Sequence, residues 1–241
     1  MRSTSWRCWA SPLLALSLAV LAGCSEAEAP RASVRTVEPE RPVIQPGRPG
    51  EDSAVHTGTV EITQEPVATA DVRYMQGMIT HHAQALRMVE LASGLEDPQV
   101  RALAERIRAA QGPELTSMAS WLVRHGYRVP QEAVDSGVDV EAMGGRVGAV
   151  ELAGSGHGGH GGMPGMATEE QLDELASSKG TEADRLFLEL MTAHHEGALT
   201  MVVEHLGEGS DIQAVEMSNE VYVEQSAEID RMQELLASLN A

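Results

Sequence analysis

The chain has 241 residues, 42% of them apolar but only 3% aromatic, and 36 acidic against 17 basic side chains give a net charge of −19. A surface this acidic repels phosphate backbones and anionic headgroups, which excludes nucleic acid as a partner. So few rings also argue against an aromatic-lined pocket or a stacking platform.

Arg2 and Arg7 precede a short, mostly apolar run from Pro12 to Gly23 that closes on Leu21-Ala22-Gly23-Cys24. About a dozen residues cannot cross a hydrocarbon core that needs ~20, so the run reads as the apolar region of a signal segment. Small residues directly before a cysteine form a lipoprotein-processing site. Residues 1–23 are therefore expected to be a signal peptide. Cys24 is expected to carry lipid and hold an exported chain to the cell envelope, facing the periplasm or the exterior. Cleavage removes Cys8, Arg2 and Arg7, which leaves no free thiol and takes the net charge from −19 to −21. No disulfide framework is then available, and any metal must be held by His, Met, Asp or Glu.

Residues 24–67 read as a flexible tether, with Pro30, Pro39, Pro42, Pro46, Pro49 and Pro66, several glycines and no apolar periodicity. About 40 flexible residues reach ~35 Å. His56, within it, reads as solvated. The remainder, 68–241, reads as all-α. A first helix is predicted over 69–93, stopping at Gly94. Asp97-Pro98 opens a second over 98–125, stopping at Gly126, with Gly112-Pro113 predicting a kink or a break. The connection 127–167 reads as long, irregular and rich in glycine. Thr168-Glu169-Glu170-Gln171 is a capping box for a short helix ending near Gly180. A helix over 182–206 stops at Gly207, and Ser210-Asp211-Ile212-Gln213 is read as the cap of a last helix over 211–239.

The chain repeats itself. Asp71-x3-Met75-x2-Met78-x2-His81-His82-x5-Met88 recurs as Asp184-x3-Leu188-x2-Met191-x2-His194-His195-x5-Met201. Gln111-x2-Glu114-x3-Met118 recurs likewise as Gln225-x2-Glu228-x3-Met232. Two copies of one helical hairpin, 68–126 and 168–241, predict a four-helix bundle with approximate two-fold symmetry.

At helical spacing His82 and His195 fall within the apolar stripes, and His81 and His194 border them beside Met88 and Met201. His205 lies one turn beyond Met201, where the first copy has Ala92. Glu114 and Glu228 sit where apolar residues belong, and a carboxylate there must be paired or bound to metal. Each hairpin therefore brings one Glu toward one inward His. The connection adds His157-Gly-Gly-His160-Gly-Gly-Met163-Pro-Gly-Met166, whose glycines supply no packing. Imidazole with thioether suits copper, Met favouring Cu(I) and His serving either state. The candidate metal ligands are Met78, His81, His82, Met88, Glu114, Met191, His194, His195, Met201, Glu228, and His157, His160, Met163 and Met166 of the connection. His125, at a helix end, reads as a terminal cation. No Glu-x-x-His, phosphate loop, nucleophile elbow or complete His-Glu-x-x-His occurs, since Leu199 stands where that last motif needs its second His.

At these residues the sequence resembles the family catalogued as domain of unknown function 305. The resemblance spans 70–239 and rests on the two His-His motifs, the Gln-x2-Glu-x3-Met pairs and Met163-Pro164-Gly165-Met166, with Leu188 and Pro113 departing from strict repetition. It implies a ferritin-like four-helix bundle, commonly exported, with some members linked to copper. Residues and resemblance together lead to a tethered protein that buffers or transfers copper, Cu(I) or Cu(II), with no catalytic residues. The alternatives are a metal-free structural or interaction module with buried His–Glu pairs, and a metal-dependent oxidase.

Overall fold

A computed structural model describes residues 33–37, 42–45, 50–64, 67–148 and 162–239. The chain divides into Met1–Arg31, which lies outside the described residues, and Ala32–Ala241, which holds all that follows.

Ahead of the bundle, β1 (Ser33–Val37) pairs antiparallel with β4 (Val60–Gln64), and β2 (Val43–Gln45) with β3 (Ala54–His56). The expected tether thus contains two small ladders. Ala54, Val55 and His56 are all exposed, and a two-stranded ladder open to water has little stability of its own.

Six helices follow: α1 (Thr69–Leu91), α2 (Pro98–Arg124), α3 (Gln131–Asp135), α4 (Glu169–Ser177), α5 (Thr181–Glu208) and α6 (Ile212–Leu239). Asp97 caps α2 by accepting the Gln99 and Val100 amides, with Pro98 in the first turn. Thr168 and Gln171 form the expected capping box of α4. α2 is not split at Pro113: Pro113 and Ala109, whose carbonyl loses its partner there, are both exposed, so water can serve that carbonyl. α5 also runs through Gly207, and Gly209 caps it. The last cap is Asp211 rather than Ser210. Asp211 Oδ1 accepts the Ala214 amide at 2.9 Å, while the Ser210 amide is drawn to Asp71.

The hairpins α1–α2 and α5–α6 are clasped reciprocally. Asp71, at the start of α1, accepts the backbone N–H groups of Ser210 and Asp211 in the α5–α6 turn, each at 3.1 Å. Asp184, its repeat counterpart, accepts those of Glu96 and Asp97 in the α1–α2 turn, each at 3.0 Å. Each carboxylate serves a turn of the other hairpin, so the sequence repeat becomes a two-fold arrangement.

The core comprises two apolar clusters. One gathers Ala85, Met88, Leu103, Ile107, Phe187, Leu188, Met191, Met232 and their neighbours; the other gathers Met75, Met78, Leu115, Met118, Trp121, Ala198, Val202 and Val221. The residues between them along the helices are polar: His81, His82, Gln111, His194, His195, Gln225 and Glu228, all buried. The first part of the connection, 127–148, is more ordered than its composition suggests. Val129 pairs with Val147, α3 packs beside α1, and Val129, Ala133, Val138 and Val140 are buried in the second cluster.

Candidate metal centre

All four histidines of the doubled motifs are completely buried. His82 Nε2 lies 2.8 Å from Glu114 Oε2, and His195 Nε2 lies 2.8 Å from Glu228 Oε2. The two expected His–Glu pairs therefore form, one in each hairpin. They are unequal: the Glu114 side chain is 19% exposed and that of Glu228 is 1% exposed. Glu228 Oε1 has no hydrogen bond, and its nearest cation is Arg106 Nε at 4.0 Å.

His81 and His194 do not merely border the core. Their rings meet at a centroid distance of 3.8 Å, tilted by 42°. A helix in a four-helix bundle buries two flanks, and the flank that borders the α1–α2 stripe faces α5. Because 81 and 194 are repeat equivalents in contact, the approximate two-fold axis passes between them.

The hydrogen bonds fix where lone pairs lie. His81 Nε2 is 3.0 Å from the Pro164 carbonyl. A carbonyl only accepts, so Nε2 carries the proton and Nδ1 the lone pair. His81 Nδ1 is buried without a partner, as are His82 Nδ1, His195 Nδ1 and both ring nitrogens of His194. Burial pushes the His81 imidazolium down to about 3, with neighbouring His82 and His195 adding to the effect against the Pro164 hydrogen bond. Burial, then the charges of His81, His195 and His82, hold His194 well below the ordinary histidine range against a weak pull from the His81 backbone. Both are neutral imidazoles at neutral pH, the form that ligates metal. The side-chain amides of Gln111 and Gln225, also buried in this layer, have no hydrogen-bond partner.

The end of the connection, Gly162–Ala167, crosses this pair as a strap. A Cβ on Gly197 of α5 would sit 2.0 Å from the Pro164 carbonyl oxygen, and one on Gly165 (φ +75°) 2.3 Å from that of Ala193. Only glycine permits this approach, and Gly165 also adopts a backbone that disfavours side chains. On the α1 side, Gln84 grips Ala167 twice, donating to its carbonyl at 2.9 Å and accepting its amide at 2.8 Å. One turn from His81, Gly77 leaves room for two methionines: Met163 Sδ would lie 3.9 Å, and Met201 Cε 3.1 Å, from a Cβ placed there.

Of the expected ligands, the structure thus joins His81 with His194, His82 with Glu114 and His195 with Glu228, and it sets Met163 and Met201 beside Gly77. It leaves Met78 in one apolar cluster and Met88 and Met191 in the other, on opposite sides of the polar layer. Met166 borders an open groove instead. His157, His160 and Cys24 lie outside the described residues. Among the described residues, no three His, Cys, Asp or Glu side chains converge as a ready cage. The arrangement available is a buried imidazole pair, with Met163 and Met201 about one helical turn away beside Gly77, and imidazole with thioether is a soft donor combination suited to Cu(I).

A second buried network, not evident from helical spacing alone, surrounds His205. His205 lies 2.9 Å from Asp71 Oδ1 through Nε2 and 2.5 Å from Ser218 Oγ through Nδ1, with Tyr74 stacked on its ring at 4.3 Å. The repeated Asp71 was the signal for it. His125 differs from its reading as a cation: half-buried against Trp121, it is pushed down by burial, with Asp211 opposing.

The sequence profile of a domain of unknown function, DUF305, matches residues 71–236. The chain belongs to the DUF305 family. Solved DUF305 structures share its fold. A Streptomyces coelicolor protein is 28% identical, covering 71% of this chain and 94% of its own at a TM-score of 0.56. A Deinococcus radiodurans fragment is 26% identical, covering 72% and 99% at 0.56. CopM in a Cu(II)-bound form is 27% identical, covering 70% and 96% at 0.52. No functionally curated protein matches the chain. Among the described residues no helix is long and apolar enough to cross a membrane.

Proposed function

We propose that this DUF305 protein is exported, is held to the envelope by lipid on Cys24, and binds copper to buffer it or pass it on. One observation carries the metal reading: His81 and His194 lie in ring contact, both neutral and both with buried, unpartnered nitrogens. Leaving such atoms unsatisfied costs ~1–3 kcal/mol each, a cost that a bound ion would relieve. Met163 and Met201, beside Gly77 one turn from His81, are candidate thioether donors. In this reading Glu114 and Glu228 orient His82 and His195, turning each Nδ1 lone pair inward as carboxylates do behind metal-bound imidazoles. His157, His160 and Met166 would capture metal from outside. The similarity to CopM in a Cu(II)-bound form, and to a Streptomyces protein described as secreted, supports copper and export.

The 2.8 Å His–Glu pairs also favour a second reading, a metal-free module in which they fix helix register. Thermal unfolding with Cu(I), Cu(II) and Zn(II) separates the two. The variant His157→Ala/His160→Ala removes the outer histidines. In that background a native-state site should stabilise the protein by ~2.7 kcal/mol at a hundredfold excess over Kd. That corresponds to roughly 5–10 °C in a domain of this size. His81→Ala/His194→Ala should abolish the shift. A shift that survives undiminished in that variant would rule out the core site.

A further inference from the structure

We infer that the strap Gly162–Ala167 is the gate of the His81–His194 pair, crossed by the metal on entry and exit and closed again over the loaded site. The inference rests on the copper reading. Its structural basis is that the pair is sealed on every side, but by different materials. Along the bundle axis lie the two close-packed apolar clusters, which offer a passing ion no imidazole, carboxylate or water. Toward α2 and α6 lie the His82–Glu114 and His195–Glu228 pairs.

On the remaining side there is, among the described residues, one thickness of chain. Pro164 and Gly165 are exposed on their outer faces, while the Pro164 carbonyl inside touches His81. A groove of about 710 Å³, lined by Gln84, Arg87, Met166 and Glu169 among others, runs beside it. The strap is held by a few polar ties, two glycine contacts and the half-buried side chains of Met163, Met166 and Ala167, none of them fully buried. Beyond it, Thr168 caps α4, and Arg87 holds Glu169 through two 2.8 Å contacts. That fixes the strap's C-terminal end, so opening amounts to a swing about Ala167–Thr168. When closed, the strap keeps the proton on His81 Nε2 and leaves Nδ1 to the metal, so it orients the ligand as well as covering it.

Two substitutions unseat the strap without touching a proposed ligand. Gly197→Ala places a methyl 2.0 Å from the Pro164 carbonyl oxygen, in a helix where alanine is otherwise favourable. Gln84→Ala deletes both ties to Ala167 and leaves α5 intact. At ~1 kcal/mol net per hydrogen bond, loss of the two Gln84 ties should open the strap at least tenfold more often, and the Gly197→Ala methyl, which cannot coexist with the seated Pro164 carbonyl, should do so sterically. Two readouts are needed, in the His157→Ala/His160→Ala background. The first, in metal-free protein, is hydrogen exchange at the Ala167 amide. The second is the rate at which a chelator strips bound Ag(I), a redox-inert stand-in for Cu(I).

The expected result is that protection at Ala167 falls in Gly197→Ala, where its Gln84 acceptor is intact, and that Ag(I) leaves about tenfold faster in both variants, with stoichiometry unchanged. Lost protection with an unchanged release rate would place the route elsewhere, past partly exposed Glu114, and overturn the gate. Unchanged protection in Gly197→Ala would overturn it too, because the strap would not be seated as described. Failure of the background protein to bind Ag(I) at all, with folding intact, would overturn the metal reading itself and the gate with it.

Discussion

His195→Ala should destabilise the metal-free protein substantially more than His82→Ala, although the two residues are repeat equivalents. Each substitution removes a buried imidazole of the same size, so the cavity terms cancel to first order. The difference lies in the carboxylate left behind. Glu114 is 19% exposed and can turn toward water, whereas Glu228 is 1% exposed, with one oxygen already unpartnered and its nearest cation 4.0 Å away. Breaking a buried pair by deleting one partner costs ~3–5 kcal/mol, while a group that can rehydrate loses ~1–3 kcal/mol. The expected gap is ~2 kcal/mol, measured by urea unfolding at neutral pH with a chelator present. Adding Glu228→Leu to His195→Ala should recover much of the loss, since a paired ion replaced by apolar groups is often close to neutral. If His82→Ala costs as much as His195→Ala, or if Glu228→Leu deepens the loss, the argument from stranded charge is wrong.

Acid should destabilise the metal-free bundle through His81 and His194. Their folded values lie below the unfolded one, so their contribution is fully present above about pH 6.5. It is lost as pH falls through the window down to about 3 for His81, at up to ~1.4 kcal/mol per pH unit for each ring. Urea midpoints at pH 7.5, 5.5 and 4.5 should fall accordingly, and His81→Asn/His194→Asn should flatten the slope; an unchanged slope in that variant would remove the basis for calling these rings neutral. Cys24→Ala should abolish incorporation of labelled fatty acid, and labelling that persists would remove the anchor from the proposal. Replacing His157, His160, Met163 and Met166 together should lower copper stoichiometry with helical content unchanged, and equal stoichiometry would reduce the connection to a linker.

The hairpins were legible because the repeat preserves spacing on both helices of each pair. Glu114 and Glu228 stood out for the simple reason that carboxylates do not occupy apolar stripes unpaired. What the sequence hid is interaction between hairpins. A single-helix wheel has one inward direction, but each helix here has two neighbours, so His81 and His194 looked marginal when they are central. Gly207 looked like a stop, yet the end of α5 is set by Gly209. A Cβ on Gly209 would lie 2.4 Å from His205 Nε2 in the last turn of α5 and 2.7 Å from Asp71 Oδ1, the second a contact made across the bundle. Ser210 looked like a cap until Asp71 claimed its amide. In the connection, glycine content masked Val129, Ala133, Val138 and Val140, which are spaced too irregularly for either periodicity and are buried nonetheless.

Two-fold symmetry bears on whether two His-His motifs make one site or two. Residues off the axis must recur, and His82–Glu114 and His195–Glu228 do. Equivalent residues that touch across the axis define a single place, and His81 with His194 is that place. A single strap cannot cross such an axis and leave both halves alike. The repeats diverge where it crosses: Gln84 grips Ala167, while its equivalent, Gly197, makes room for Pro164 and Gly165. Gly77 makes room for Met163 and Met201, and its equivalent is Leu190. His81 gains the Pro164 carbonyl, and His194 keeps both nitrogens unpartnered. The duplicated hairpin therefore supplies the imidazole pair, and the inserted connection makes its two members chemically different.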